Sequence, residues 1–203
     1  TVMKYDGSNW VNVGTAGFSA GRAYFPALAI DASGTPYMAY QDVSNGKKAT
    51  VMKYSGGSWV TVGSAGFTSG SAFSVSMAIN GSGMPYVAFE DGSHGFRSTV
   101  MKYDGSSWVT VGSAGFSAGT YVFFTSIAID ASGTPYMGYA DGGNGEKAEV
   151  MKYDGIAWVP VGPATGFSPA AVLYTSVAVD GSGTPYVVYV DSYNGNRASV
   201  MEY

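Results

Sequence analysis

One short motif recurs along this chain at an almost constant interval. Val-Met-Lys-Tyr starts at Val2, Val51, Val100 and Val150, and a variant, Val-Met-Glu-Tyr, starts at Val200. The intervals are therefore 49, 49, 50 and 50 residues, and Gly-x-Pro turn motifs recur in the same phase. A period of this length is typical of repeat proteins, in which each unit can bury its apolar face only against its neighbours.

Each repeat contains four short runs with strand-like composition, and none has the apolar spacing of an amphipathic helix. In the first full repeat we assign strands a to d to Ala27–Asp31, Pro36–Asp42, Ala49–Tyr54 and Trp59–Val62. Four-stranded antiparallel units at such a period are typical of β-propeller blades. We therefore predict an all-β fold, a β-propeller of four-stranded antiparallel blades about 49 residues long, forming one domain over residues 1–203.

The repeat boundaries leave one strand surplus. The repeats span about 1–49, 50–98, 99–148 and 149–198, with a partial copy at 199–203. The chain thus opens with strands c and d and ends with a, b and c. We predict a four-bladed ring closed by a strand shared across the termini, in which Thr1 to Tyr5 and Ser199 to Tyr203 compete for one place. The alternatives are a homodimeric eight-bladed ring and a fragment of a protein with more repeats.

The composition argues against several classes of function. The net charge is only -4, and the ten Lys and Arg residues are dispersed, so we expect no nucleic-acid partner. No window has the roughly 20 consecutive apolar residues of a membrane span. The chain has no cysteine and one histidine, His94, without a metal-binding or catalytic partner in sequence. We therefore predict no metal site, no cofactor and no catalytic residues.

The long connection between strands d and a, Gly14 to Pro26 in the first copy, is the first candidate binding region. It shares a face of the propeller with the b-to-c loop, and long loops on a rigid scaffold often carry binding sites. The part of this connection that differs most between copies supplies our aromatic ligand candidates: Tyr24, Phe73, Tyr121 and Tyr174. The alternative is that these side chains only pack under the loop, where the choice of residue is weakly constrained.

The b-to-c loop is the second candidate region. It repeats an Asp followed three residues later by Asn or His and then by Gly, which gives the candidates Asp42, Asn45, Asp91, His94, Asp141, Asn144, Asp191 and Asn194. One interpretation is a ring of hydrogen-bonding groups for a hydroxylated ligand. The interpretation that we favour is an Asx-type turn closed by glycine and stabilised by nearby cations, Lys48, Arg97, Lys147 and Arg197.

Two further aromatic positions repeat in every copy. They are Trp10, Trp59, Trp108 and Trp158 at the start of strand d, and Phe18, Phe67, Phe116 and Phe167 in the long connection. Either set could stack on sugars, but recurring aromatics more often pack between blades, and we favour that interpretation for both.

The consensus W-V-x-V-G-x-A-G-F-S … A-I-D-x-S-G-T-P-Y … D-x-x-N-G-x-K-A-x-V-M-K-Y-D-G covers the whole chain. It resembles propeller repeats of large secreted or cell-surface bacterial proteins, and the near-identity of the copies also fits recent amplification or consensus design. In repeat length and aromatic content it is more distantly similar to tachylectin-like and fucose-binding propeller lectins. The resemblance implies a secreted or cell-surface bacterial location and glycan recognition at several weak sites with avidity.

These observations lead to one expected function and two alternatives. We expect a multivalent binding module that is not an enzyme, with glycans or another protein as partners. The first alternative is a structural or designed scaffold without a ligand. The second is an enzyme whose catalytic groups come from the face loops.

Overall fold

The chain forms a series of antiparallel β-sheets joined by tight turns. A computed structural model describes all residues 1–203, and it contains five sheets, three of them four-stranded, with no α-helix. The N-terminal hairpin consists of β1 (Met3–Tyr5) and β2 (Trp10–Asn12). The first blade consists of β3 (Ala23–Ile30), β4 (Pro36–Asp42), β5 (Lys48–Ser55) and β6 (Ser58–Thr61).

The remaining sheets repeat this order. The second blade consists of β7 (Ala72–Ile79), β8 (Pro85–Asp91), β9 (Arg97–Tyr103) and β10 (Trp108–Thr110). The third blade consists of β11 (Val122–Ile129), β12 (Pro135–Asp141), β13 (Lys147–Tyr153) and β14 (Trp158–Pro160). The C-terminal sheet has β15 (Val172–Val179), β16 (Pro185–Asp191) and β17 (Arg197–Glu202) and no fourth strand. Three-residue 3-10 turns at Val43–Asn45, Gly92–His94 and Gly142–Asn144 follow strand b in the three blades.

The a-to-b turn shows why this sequence reverses direction so tightly. In the first blade the Asp31 carboxylate accepts hydrogen bonds from the backbone N–H groups of Ser33 and Thr35, both at 2.9 Å. Gly34 completes the turn at φ +84°, a value that an L side chain rarely adopts. Asn80 accepts the equivalent bonds in the second blade, since its side-chain oxygen has the same reach.

Strand a begins earlier than the sequence predicts. In the first blade it starts at Ala23 rather than Ala27, because a β-bulge between Tyr24 and Ala27 lets the strand continue past a break in its register. Phe25, in the bulge, has φ +50°. The bulge recurs in every copy, and it interrupts the alternation of side chains from which a strand is predicted.

The predicted four-bladed closed ring is not present, and the sheets number five rather than four. Strand β2 pairs with β1, with Tyr5 opposite Trp10, and not with the C-terminal sheet. The physical reason is local: the Asp6 carboxylate accepts two turn hydrogen bonds at 2.8 Å, so β1 and β2 close a hairpin by themselves. Strand β17 pairs with β16, so the two copies of strand c do not compete.

The a strands of consecutive sheets pack against each other, β3 on β7, β7 on β11 and β11 on β15. Two of these junctions are also hydrogen-bonded. The Ile127 N–H donates to Ser76 Oγ at 3.1 Å, and the Val177 N–H donates to Ser126 Oγ at 3.0 Å. Strand a is therefore the innermost strand of each blade.

A tryptophan and a phenylalanine join each blade to the preceding sheet. Trp158 stacks on Phe116 with ring centroids 4.4 Å apart, and its indole N–H donates to the carbonyl oxygen of Val111 at 2.8 Å. Trp59 and Trp108 make the same stack and the same hydrogen bond in the other blades. These contacts agree with the packing interpretation of both aromatic series, since a buried indole N–H needs an acceptor.

Trp10 is the exception, because it is 67% exposed whereas Trp158 is 8% exposed. We expect Trp158→Ala to lower the free energy of unfolding by about 3–5 kcal/mol, through the lost stack, the lost hydrogen bond and the cavity. Trp10→Ala, the matched control, should change it by less than about 1 kcal/mol. Urea denaturation of dilute protein measures both values, and equal losses would contradict the assigned role.

Candidate functional site

The four a strands surround a depression of about 380 Å³ near the axis of the array. Its lining comes entirely from the bulges: Phe25, Pro26, Ser74, Val75, Phe124, Thr125, Tyr174 and Thr175. The rings of Phe124 and Tyr174 have centroids 4.8 Å apart, and the side chains of Phe25 and Tyr174 are exposed. The depression thus presents aromatic surface beside hydroxyl groups.

The backbone at this site is strained. One residue of each bulge has a positive φ although it is not glycine: Phe25 at 50°, Ser74 at 46°, Phe124 at 54° and Tyr174 at 53°. Such a conformation costs of order 1–3 kcal/mol per residue, and residues of this kind cluster at binding and catalytic sites. The Thr125 and Thr175 hydroxyls donate to the carbonyl oxygens of Ser74 and Phe124, so adjacent bulges are held together.

A carboxyl group lies behind Ser74. The Ser74 hydroxyl donates a hydrogen bond to Glu90, whose side chain is buried, and burial raises the pKa of Glu90 above its ordinary value. In the first blade Gln41 has the equivalent position, and its Nε2 donates to the carbonyl oxygen of Ala72 at 2.6 Å. The third blade and the C-terminal sheet have Ala140 and Val190 there, so the surroundings of the depression differ from blade to blade.

The aromatic candidates from the sequence lie at three different structural positions. Tyr24 and Phe73 are equivalent and come just before the bulge, Tyr121 precedes β11, and Tyr174 lies in the bulge. Only Tyr174 lines the depression. The ring of Phe73 packs against Phe96, with centroids 5.7 Å apart. A ligand-binding role for these four residues stays a prediction.

Sequence reasoning missed Phe25, Ser74 and Phe124. A usable signal was the pair of adjacent large aromatics, Tyr24-Phe25 and Phe123-Phe124, since a regular strand turns neighbouring side chains to opposite faces. Two consecutive bulky residues at the same point of two copies are compatible with a β-bulge, which interrupts the regular alternation of side chains between the two faces.

The b-to-c loop is organised around its buried aspartate. Asp42 accepts hydrogen bonds from the Ser44 N–H at 3.0 Å, from Asn45 Nδ2 at 2.8 Å and from Thr50 Oγ1 at 3.0 Å. Gly46 follows with φ +69°. Asp91, Asp141 and Asp191 are also buried and bonded to the residue three positions later, His94, Asn144 and Asn194. This geometry is that of the Asx-type turn, and a hydroxyl-binding role for these eight residues stays a prediction.

The expected contribution of cations to this turn is wrong. None of Lys48, Arg97, Lys147 and Arg197 forms an ion pair with an aspartate, and in the second blade Asp91 is hydrogen-bonded to His94 Nδ1 at 2.8 Å instead. Burial pushes the pKa of Asp91 upward, but hydrogen bonds from Ser93, His94 and Thr99 outweigh it and hold that pKa below its ordinary value. The carboxylate is therefore stabilised by dipoles of its own blade rather than by a lysine or arginine.

The third blade carries a second acidic group in this network. Glu149 stands where the other copies have Thr50, Thr99 and Ser199, whose hydroxyls donate to the aspartate. Glu149 is buried, and one of its carboxyl oxygens has no hydrogen-bond partner. Burial, followed by the hydrogen bond and the charge of Asp141, raises the pKa of Glu149 to about 8. At neutral pH this side chain is therefore mainly protonated.

We expect Glu149 to make stability pH-dependent. Its pKa is raised on folding, so its contribution is fully present below about pH 4.5 and is lost as pH rises through about 8. Relative to Glu149→Thr, which restores the hydroxyl of the other copies, the free energy of unfolding of the native chain should fall over this window by roughly 5 kcal/mol. Chemical denaturation at several pH values measures the difference, and a constant difference would contradict the assignment.

The structure has no group of three or more His, Cys, Asp and Glu side chains placed to hold a metal ion. None of its helical segments is long and apolar enough to cross a membrane.

No family model and no curated protein sequence matches this chain, so its predicted repeat family is unconfirmed. Solved structures do share its fold. A Hadza microbial sialidase, Hz136, aligns with a TM-score of 0.61 at 14% identity over 92% of this chain and 45% of that one. An ulvan lyase of polysaccharide lyase family PL25 aligns with a TM-score of 0.58 at 14% identity over 85% of this chain and 48% of that one. The chain therefore spans less than half the length of either enzyme.

A thermostable family-43 glycoside hydrolase aligns with a TM-score of 0.51 at 15% identity, over 92% of this chain and 72% of that one. These comparisons contradict the expectation that the chain is not an enzyme, because the proteins that share its fold are themselves enzymes. At such identities the likeness concerns the fold and transfers no catalytic residue. What the chain shares with carbohydrate-active proteins is a propeller-type, all-β architecture.

Proposed function

We propose that this chain binds a saccharide in the axial depression. The observation that carries the proposal is the convergence of the four bulges, which bring Phe25, Phe124 and Tyr174 to one concave surface beside the Ser74 hydroxyl. Aromatic faces stack on the apolar faces of sugar rings, while nearby polar groups fix their hydroxyls. The strained backbone supports a functional role, since nothing in a regular strand requires a positive φ at these residues.

The shared fold supports the ligand class. The sialidase, the polysaccharide lyase and the glycoside hydrolase named above all act on carbohydrates by their names, on a scaffold of the same type. Since the four copies line a single depression, we infer one principal site for each array rather than one site for each repeat. Avidity would then come from association of chains. A secreted or cell-surface location is consistent with a saccharide ligand and stays a prediction.

A second candidate function is acid–base chemistry on the bound saccharide. Glu90 favours it, because this buried carboxyl, whose pKa burial raises, accepts a hydrogen bond from the Ser74 hydroxyl at the edge of the depression and is thus placed to exchange a proton with it. Turnover of a panel of glycosidic and uronic-acid-containing polysaccharides, compared between the native chain and Glu90→Gln, distinguishes the two candidates. A catalyst should lose its turnover in this variant, whereas a binder should show none to lose.

We expect the native chain to bind one class of glycan on a broad array, and Tyr174→Ala and Phe25→Ala each to weaken that binding by about tenfold, as for loss of a stacking contact. Tyr193→Ala is the matched control, because this exposed tyrosine lies in the b-to-c loop away from the lining of the depression. Circular dichroism checks that each variant folds. An array without signal, or equal losses in all three variants, would overturn the proposal.

A further inference from the structure

The two ends of the array expose apolar side chains that the blades elsewhere bury. At the N-terminal end Leu28 is 53% exposed, whereas its equivalents Met77, Ile127 and Val177 are 6–7% exposed. At the C-terminal end Val200 is 67% exposed, whereas its equivalents Val51, Val100 and Val150 are 0–4% exposed. The uncovered positions at the two ends are different, and Ile30 at the N-terminal end and Met201 at the C-terminal end are exposed as well.

Inside the array the positions equivalent to Leu28 and Val200 belong to the same junction. Val51 lies in one apolar cluster with Met77, Val100 lies in one with Ile127, and Val150 lies in one with Val177. Each junction therefore places strand c of one sheet against strand a of the next. The exposed Val200 and the exposed Leu28 are the two halves of a fourth junction of this kind.

A groove in the C-terminal sheet also lacks the side chain that fills the equivalent groove in the three blades. It is lined by Val161, Phe167, Met201 and Tyr203 among others. In the three blades the corresponding groove holds the tryptophan of strand d. This tryptophan stacks on the phenylalanine equivalent to Phe167, and its indole N–H donates to the carbonyl oxygen equivalent to that of Val161. The C-terminal sheet has no strand d. Trp10, on β2, is the one tryptophan without such a groove.

We propose that the N-terminal end of one copy docks onto the C-terminal end of a second copy. Strand β2 becomes the fourth strand of the partner's C-terminal sheet, with Trp10 stacked on Phe167 and Leu28 packed against Val200. The interface continues the three internal junctions with the same residue types. It is head-to-tail, so it produces either a closed ring or an open filament.

Strand β1 must then give way, because β1 and β17 are both copies of strand c. All three residues of β1 are exposed and pair only with β2, whereas β17 forms six register pairs with β16. Strand β2 exchanges β1 for β17 without loss of ladder hydrogen bonds, and Trp10 comes to lie opposite Tyr203 as it now lies opposite Tyr5. Burial of Trp10, Leu28 and Val200 is the gain that drives the exchange.

Light scattering and native mass spectrometry test the proposal. The native chain should assemble above its 21.0 kDa monomer mass in a concentration-dependent manner. Trp10→Ala removes the head contact and Val200→Asp removes the tail contact, so each should weaken assembly by at least about tenfold. The control is Ile156→Ala, an exposed apolar residue in the c-to-d turn of the third blade, which should assemble as the native chain does.

Mixing the two defective variants identifies the geometry. The Trp10→Ala chain keeps an intact tail and the Val200→Asp chain keeps an intact head, so an equimolar mixture should form a heterodimer although neither variant assembles alone. A native chain that stays monomeric at its highest soluble concentration would overturn the proposal, whether its ends remain exposed or close on each other. A mixture without heterodimer would also overturn it, since a symmetric dimer has no separate head and tail.

Discussion

The contact on which this structure depends is the junction between consecutive sheets. Each blade is a thin, four-stranded sheet with two apolar faces, and by itself it could bury neither. The junction solves this with a repeated set of contacts: a strand a side chain against strand c of the preceding sheet, and a tryptophan stacked on a phenylalanine. Stability is then a sum of nearest-neighbour terms, as in other repeat proteins.

The junction also explains the arrangement of the axial depression. Because strand a is innermost, any irregularity in it is repeated from blade to blade, and the β-bulge brings two residues of every copy to the same region. The bulge is tolerated since strands b and c on the outer side remain regular and hold the sheet in register. The strained bulge residues of strand a are thus held in place by the regular pairing of strands b and c on the outer side of each sheet.

The repeated features were the predictable part of this molecule. The period, the four-stranded antiparallel blade and the tight turns at Asp31 and Asp6 follow from alternation and turn chemistry, which are local properties. The position of Phe25 was not predictable from alternation, because a bulge suspends the rule that assigns side chains to faces. Ring closure was mispredicted because strand d pairs with strand c in every copy, and a repeat pattern does not specify which copy of strand c it pairs with; the local turn at Asp6 pairs β2 with β1.

The blades are nearly identical, yet the residue behind the bulge differs in each: Gln41, Glu90, Ala140 and Val190. One copy thus has an amide, one a carboxyl and two an apolar side chain behind the lining, and the lining itself differs between copies, with Phe25, Ser74, Phe124 and Tyr174 at one equivalent position. The surroundings of the depression therefore differ from copy to copy, so the repeat symmetry of the scaffold does not extend to this site. A molecule in the depression has one preferred orientation about the axis instead of several equivalent ones.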